Sequence, residues 1–394
     1  MSIVHNFPDT ASVVISLFDI CLAGAFVGCI LMLCEAGFVL AFRGQDSQDS
    51  RTKGAQPAVT VLKPLHGTEP YLAARLAAFC RQNYGAPVQV LCGTGDSSAP
   101  AVTEVRAVQR EVPGASIELH ADPRHHGSNH KVSNLINMLP RARHDTFVLS
   151  DSDIVVDPDY LRRLIALLNA PGVGAATCLY HGIGSDGVWS RLSALAINAH
   201  FLPQAITGLG LNVTKPCFGA TIALRRATLE RIGGFGAFAD ELADDYAIGA
   251  AVRAAGYEVA TAPFLVGHHC FEASLRQLLR HQIRVARTIK NIDPIGYAGT
   301  VLTHPVPLAL IGMLSGSTAA VLVAVAALAS RVTLCRCVER RFGLARESLW
   351  LIAMQDVIAF AVYVASFFGA TVYWRGAAYH VAADGTLVED DLRR

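Results

Sequence analysis

Charge is what this chain has least of. Charged side chains make up 16% of its 394 residues, against about a quarter in ordinary soluble proteins. Hydrophobic residues reach 52% and mean hydropathy is +0.37, a balance that places part of the chain in lipid. An excess of one sign is missing too. The formal net charge is +1 and no dense basic run occurs, so nothing points to nucleic acid and no nucleic-acid partner is expected. The ten cysteines are scattered. Cys335 and Cys337 form a C-x-C without a second pair, so neither a zinc site nor a disulfide framework is expected, and reduced thiols facing the cytosol are. No G-x-S-x-G occurs, which leaves an esterase without support. No G-x-x-x-x-G-K-[ST] occurs, which removes the usual P-loop nucleotidase. His125-His126 and His268-His269-Cys270 lack the spacing of metal ligands and read as ordinary loop or core histidines.

Long apolar runs, by contrast, are plentiful. Ala11 to Phe42 is interrupted only by Asp19 and Glu35. It is too long for a signal-peptide core and lacks a basic leader, so 11–42 reads as a retained transmembrane helix. Arg43, Arg51 and Lys53 follow it, whereas the ten residues before it hold no Lys or Arg. The positive-inside rule then sets the N-terminus outside and the following chain in the cytoplasm. Residues 43–57 read as a polar linker. A second apolar zone gives one or more membrane segments over 301–330, an Arg-rich loop over 331–348, a transmembrane helix over 349–374 and a tail over 375–394. A single span there puts Arg331, Arg336, Arg340, Arg341 and Arg346 outside, against the same rule. Either the zone begins nearer Ile295 and holds a tight pair of helices, or part of it lies in the interface. Asp356 is costly in lipid and is expected to face protein or water.

Between these zones, residues 58–300 read as one cytoplasmic domain. Val59 to Leu62, Val88 to Leu91, Ile117 to His120 and Thr146 to Leu149 have the composition of strands. Tyr71 to Gln82, Ala101 to Val112 and Lys131 to Leu139 have that of helices. The alternation predicts an α/β fold with a mainly parallel sheet and helices on both faces. Ligands then bind at the carboxyl ends of the strands, where Asp96 and Asp151-Ser152-Asp153 fall. The D-x-D puts two carboxylates on one side if the extended geometry persists. Carboxylates held that close repel unless a cation lies between them, and hard ions such as Mg²⁺ or Mn²⁺ take oxygen ligands. Nucleotide-sugar enzymes need such an ion to neutralise a departing diphosphate. Further on, Arg276, Arg280, Arg284 and Arg287 lie on one face of a basic amphipathic helix suited to a membrane surface.

In order, the chain carries Lys63-Pro64-Leu65-His66-Gly67, Asp96, Gly127-Ser128-Asn129-His130-Lys131, Asp151-Ser152-Asp153, Gly219-Ala220-Thr221, Asp244-Asp245-Tyr246 and His281-Gln282-Ile283-Arg284. The series resembles the ceramide glucosyltransferase family, inverting membrane enzymes with the nucleotide-diphospho-sugar transferase (GT-A-like) fold. The stretch from Asp356 through Trp374-Arg375-Gly376 and Tyr379 looks most like its bacterial branch, which includes hopanoid-associated enzymes and implies a bacterial inner membrane. The resemblance implies a UDP-sugar donor and a membrane lipid acceptor. It implies Asp153 as metal ligand, Asp151 on the ribose or metal, and Asp96 on the uracil or ribose. Lys131 would compensate diphosphate charge, and Arg284 would bind the departing diphosphate. Asp245 would be the general base, with Asp244 and His281 on the acceptor side.

Burial under Tyr246 and the Asp244 charge are expected to raise the pKa of Asp245, although an acidic pair is also what a helix N-terminus favours. The chain departs from the family in three places. The acid-rich stretch around Asp96 keeps one acid, Asp244 replaces the usual Glu, and Val285 stands where a Trp usually follows. Ceramide with UDP-glucose is the family's namesake pair, and a hopanoid with UDP-N-acetylglucosamine or UDP-glucose is the alternative. A processive polysaccharide synthase shares the motifs but usually has more spans and keeps that Trp. A non-catalytic lipid-binding protein on the same fold is the remaining alternative.

Overall fold

In the computed structural model the described residues are 10–42, 56–67, 69–184, 187–369, 371–374, 377–381 and 386–389. Most of the linker expected at 43–57, together with Arg375 and Gly376, lies outside them. After helix α1 (Thr10–Ala41), eight strands form one sheet. They are β1 (Val59–Pro64), β2 (Val88–Thr94), β3 (Ser116–Ala121), β4 (Thr146–Leu149), β5 (Ile154–Val155), β6 (Val173–Gly184), β7 (Ile222–Arg225) and β8 (Glu258–Cys270). Their order across the sheet is β3-β2-β1-β4-β7-β6-β8-β5. The first four are parallel. Strand β7 runs antiparallel to both neighbours, β6 and β8 pair in parallel, and short β5 ends the sheet antiparallel to β8. The expected mainly parallel sheet is thus parallel in one half and mixed in the other.

Every residue of β1 and β4 is buried, because helices cover both faces. Alternate side chains serve opposite cores. Val59, Val61, Val90 and Val148 join a cluster with α2 (Leu72–Cys80), α3 (Pro100–Glu111) and, beyond α4 (His130–Met138), α5 (Tyr160–Leu168). Leu62, Leu91, Phe147 and Leu149 pack on the other face with α4. That face continues past α6 (Val188–Ala196) and α7 (Leu202–Gly210) to α8 (Arg226–Arg231) and α9 (Asp244–Ala254). Each such Val or Leu contributes roughly 1.5–3 kcal/mol by burial, and the two cores together hold the carboxyl ends of the strands in place.

Then follow α10 (Leu275–Ile292), α11 (Pro294–Gly299), α12 (Pro305–Gly312), α13 (Thr318–Phe342) and α14 (Leu349–Ser366). Among the described residues three helices are long and apolar enough to cross a membrane: Leu17–Ala41 within α1, then α13 and α14. The pair Pro294–Thr303 and Pro305–Ser315 reaches that length only jointly and is bent by 63°. Pro305 has no N–H to continue a helix through His304, which explains the break. Helix α1 packs tightly on this pair. A Cβ at Gly28 would stand 2.4 Å from the Leu302 carbonyl oxygen, so only glycine permits the approach.

The segment expected as an Arg-rich loop over 331–348 is instead helical as far as Phe342. Its arginines have partners that make helix possible there. Arg331 Nε lies 2.6 Å from Asp356 Oδ1, and Arg336 pairs with Glu339. Arg341 Nε donates to the Phe42 carbonyl at 3.0 Å, and the Phe42 and Phe342 rings meet at 5.9 Å. The C-terminal ends of α1 and α13 therefore lie side by side. Asp356, 0% exposed, faces protein as expected. The helix expected over 349–374 stops at Ser366; its last expected residues form β9 (Thr371–Trp374), which pairs antiparallel with β10 (Ala377–Val381), itself paired with β11 (Leu387–Glu389), both in the expected tail.

Candidate active site

Strand β4 ends at Leu149, and the backbone then turns at Ser152 and Asp153 rather than staying extended. Each carbonyl of the turn is held. Lys63 Nζ donates to Asp151 O at 2.6 Å, Arg75 Nε to Ser152 O at 2.8 Å, and the His269 N–H to Asp153 O at 3.0 Å. The Ser152 hydroxyl donates to Glu69 Oε1 at 2.5 Å, and Glu69 in turn pairs with Arg75 at 3.0 Å. Lys63 is fully buried over the Phe79 ring; burial pushes its pKa down to about 7 against the pull of Asp153 and Asp151. Burial, then the Asp153 charge, raises Glu69.

Because the backbone turns, the two carboxylates face different cations. Asp151 Oδ1 lies 3.1 Å from Lys131 Nζ, and Asp153 Oδ2 lies 3.6 Å from His268 Nε2. Burial is the largest influence and opposes charge on His268, but Asp153, Cys270 and Asp151 together outweigh it and raise the pKa to about 10. Asp153 Oδ1 is buried without a hydrogen-bond partner. That orphaned oxygen suits a cation. No group of three or more His, Cys, Asp or Glu among the described residues could hold a metal ion unaided. Such a donor set fits Mg²⁺ or Mn²⁺ completed by phosphate and water, as hard ions bound through one or two carboxylates are.

The loop before α4 sets Lys131. Asn129 caps the helix, its Oδ1 accepting the Lys131 and Val132 N–H groups, while its amide donates to Glu241 O. A Cβ at Gly127 would meet Ala239 O at 2.6 Å, so this loop can seat against 239–241 only with glycine there. Lys131 thereby reaches Asp244 Oδ2, also at 3.1 Å. One ammonium links the D-x-D turn to the acidic pair that opens α9. Burial opposes its charge, but Asp151, Asp244 and Asp245 hold its pKa well above the ordinary lysine value.

Asp245 is half-buried, and its pKa is pushed up to about 6, by burial first and the Asp244 charge second. Lys131 and two backbone N–H groups oppose the rise. Oδ2 accepts the Gly219 N–H at 2.7 Å and Oδ1 accepts the Tyr246 N–H at 2.8 Å, leaving each oxygen a further lone pair. Tyr246, expected to bury the carboxylate, is 42% exposed, and its N–H lowers the pKa. The cover comes in part from Gly219, where a Cβ would stand 3.0 Å from Asp245 Oδ2.

A cavity of about 500 Å³ brings together Lys131, Asp151, Asp153, Asp244, Asp245, His281 and Arg284. The basic stripe of α10 is divided. Arg276 and Arg280 are exposed, Arg284 lines the cavity, and Arg287 donates to the carbonyls of Phe368 and Thr371. His281 Nδ1 lies 2.5 Å from Glu272 Oε1. Val285, in the place of the family Trp, is 38% exposed and lines the cavity. Asp96 does not join the lining. It follows β2, and its Oδ1 accepts the N–H and hydroxyl of Ser98 at 2.7 Å each. Sequence reasoning gives no role to Lys63, Glu69, Arg75 or His268. The signal for Lys63 is a lysine inside an apolar strand; spacing argues against His268 and His269, yet β8 carries them to the D-x-D turn.

A model of glycosyl transferase family 21 matches residues 19–387. Ceramide glucosyltransferase 1 of Caenorhabditis elegans is 23% identical over 205 residues, 52% of this chain and 44% of that protein. Ceramide glucosyltransferase of Candida albicans is 22% identical over 136 residues, 32% of this chain and 25% of that protein. The chain thus spans less than half the length of the curated relatives it matches. Among solved structures, mannosyltransferase PcManGT from Pyrobaculum calidifontis, in complex with GDP-Man and Mn²⁺, is similar with a TM-score of 0.52. It is 20% identical, and the match covers 90% of this chain and 99% of that one. The likeness is one of fold, the GT-A-like arrangement that the motif order implied.

Proposed function

The chain belongs to glycosyl transferase family 21, and from that premise we propose that it moves a hexose from a UDP-sugar to a lipid hydroxyl with inversion at the anomeric carbon. The observation that carries this reading is Asp245. A carboxylate with a pKa near 6 and free lone pairs shares one cavity with the D-x-D turn, separated from it by a single ammonium. In the reaction the acceptor oxygen attacks the anomeric carbon while its proton passes to Asp245. The bond from that carbon to the diphosphate oxygen breaks, and its electron pair leaves with UDP. A base poised near the working pH is what such proton transfer requires.

Asp153, with Asp151, would hold the divalent ion, which when bound supplies positive charge to the departing diphosphate. Lys131 and Arg284 add fixed positive charge on the same cavity wall, where preorganised charge lowers the barrier without reorganising. Lys63, Arg75 and the His269 N–H keep the turn rigid by fixing its three carbonyls. Asp96, at the end of β2, is assigned to the nucleoside end of the donor.

A lipid acceptor is supported by a second cavity, of about 230 Å³, lined in part by α10 and α14 and sharing lining residues with the first. Val285 lines both, so the residue that stands in place of the family Trp lies where the two cavities meet. Ceramide and a polyhydroxylated hopanoid are both acceptors of this kind. The test is mass spectrometry of lipids after the membrane-embedded protein meets Mn²⁺ or Mg²⁺, mixed UDP-glucose and UDP-N-acetylglucosamine, and both lipids. A hexosyl or N-acetylhexosaminyl adduct is expected. No adduct, with UDP-sugar binding intact, refutes both acceptors and leaves another acceptor or a non-catalytic lipid-binding protein.

A further inference from the structure

The second cavity is mostly apolar, as a lipid requires, but part of its wall is not. Gln355 on α14 is only 1% exposed, and neither Nε2 nor Oε1 has a hydrogen-bond partner. His304, 7% exposed at the break before α12, leaves Nδ1 unpartnered, and Gln282 on α10 leaves Nε2 so. Buried polar groups are almost always satisfied, and an amide left dry costs the full loss of its hydration. A site for a purely hydrocarbon chain would be better served by leucine at 355. His200 and His268 on the same lining also leave Nδ1 unpartnered, but each has a carboxylate at Nε2, Asp356 and Asp153. Gln355, His304 and Gln282, on three elements lining one cavity, point to a ligand that supplies the missing partners. The cavity has room for it: at about 30 Å³ for a water-sized group, 230 Å³ takes on the order of seven or eight.

We propose that Gln355, with His304 and Gln282, hydrogen-bonds a second polar group of the acceptor, so that the chain selects lipids bearing a hydroxyl or amide beyond the hydroxyl that is glycosylated. This rests on the reading of the chain as a lipid glycosyltransferase. The two cavities share Tyr180, Phe201, His268, His281, Val285 and Ile289, so an acceptor anchored at Gln355 has its other end at the cavity of Asp245. A site built to hydrogen-bond a substrate group rejects the analogue lacking it, because its own buried groups are then left unpaired.

The experiment compares kcat/KM for the whole chain in bilayers with labelled UDP-sugar. The acceptors are ceramide and a polyhydroxylated hopanoid, each against an analogue reduced to the single reacting hydroxyl. Wild type favours the complete acceptors by roughly a hundredfold or more. Gln355→Leu lowers that ratio by about ten- to a hundredfold, and UDP-sugar binding reports that it is folded. His304→Phe, which keeps a ring against Phe360 and Tyr363, lowers the ratio as well and stands in should Gln355→Leu fail to fold. A larger loss on ceramide than on the hopanoid assigns the contact to an amide, and the reverse assigns it to a polyol. Transfer with the same ratio in both variants overturns the inference and leaves the cavity to water. No transfer to any lipid by wild type, with donor bound, sinks the lipid reading itself and the inference with it.

Discussion

The pKa of Asp245 makes the proposed mechanism testable without knowing the lipid. Its ordinary value is 3.8; burial and the Asp244 charge carry it to about 6, with Lys131 pulling the other way. If Asp245 is the base, kcat/KM falls about tenfold for each pH unit below 6. Asp244→Asn removes the like charge and leaves Lys131 freer to favour the Asp245 carboxylate, so the acid limb moves down by about one pH unit. Lys131→Met moves it up. The assay is transfer rate at saturating donor between about pH 4 and 8. A limb that stays put, or rises in Asp244→Asn, refutes the assignment. Stability gives an independent readout. Because the folded value lies above the unfolded one, the native state holds more protons between 3.8 and about 6, and stability falls as pH rises through that window. Asp245→Asn removes this penalty. It should abolish transfer yet stabilise the protein at neutral pH, by at most about 3 kcal/mol at 1.36 kcal/mol per pKa unit. A dead variant that is also less stable would mean that Asp245 serves the fold.

Gly219→Ala forces a methyl to 3.0 Å from Asp245 Oδ2 and should lower kcat by about ten- to a hundredfold with donor KM little changed, since misplacing a base acts on the transition state. Arg331→Leu leaves Asp356 buried without its guanidinium and should cost about 3–5 kcal/mol, whereas the double change with Asp356→Leu recovers most of that. Thermal inactivation half-lives in bilayers check it, and a double variant no better than the single overturns the pairing. Helix α14 is tied to the catalytic domain and its flank at both ends, by Glu347 to Arg191 before it and by Lys290 to Ser366 O at its close. It should therefore lie along the membrane face, and cysteines introduced as Arg346→Cys and Phe368→Cys should react with an impermeant thiol reagent from the same side. Labelling from opposite sides means that α14 crosses.

Several site residues are legible in the sequence because their signals are local. A strand running into D-x-D, an acidic pair opening a helix and a basic stripe at helical spacing are short-range patterns. Asp151, Asp153, Asp245 and Arg284 do line one cavity. Local patterns mislead where a geometry is extended one step too far. Extended backbone would put Asp151 and Asp153 on one side, but the chain turns and gives them to Lys131 and His268. Tyr246 is adjacent to Asp245, and adjacency puts its N–H on the carboxylate, where it lowers the pKa that the ring was expected to raise. The segment from 331 looks like a loop because Arg336 alone has a close counter-charge within it, Glu339; Arg331 and Arg341 find theirs far along the chain, in Asp356 and the Phe42 carbonyl.

What the sequence determined by itself follows from periodicity and composition: which segments are apolar enough for lipid, which alternate as strand and helix, and where the carboxylates fall at strand and helix ends. Periodicity records that a face is buried, and it is silent on what the face meets. The partners that make the site were decided by tertiary structure alone. Lys63 reaches a carbonyl 88 residues away, Arg75 meets His269 across 194, and Arg341 meets Phe42 across 299. Burying such charges is unfavourable unless each finds its partner at hydrogen-bond distance, a condition that only the packed sheet and its membrane helices could meet.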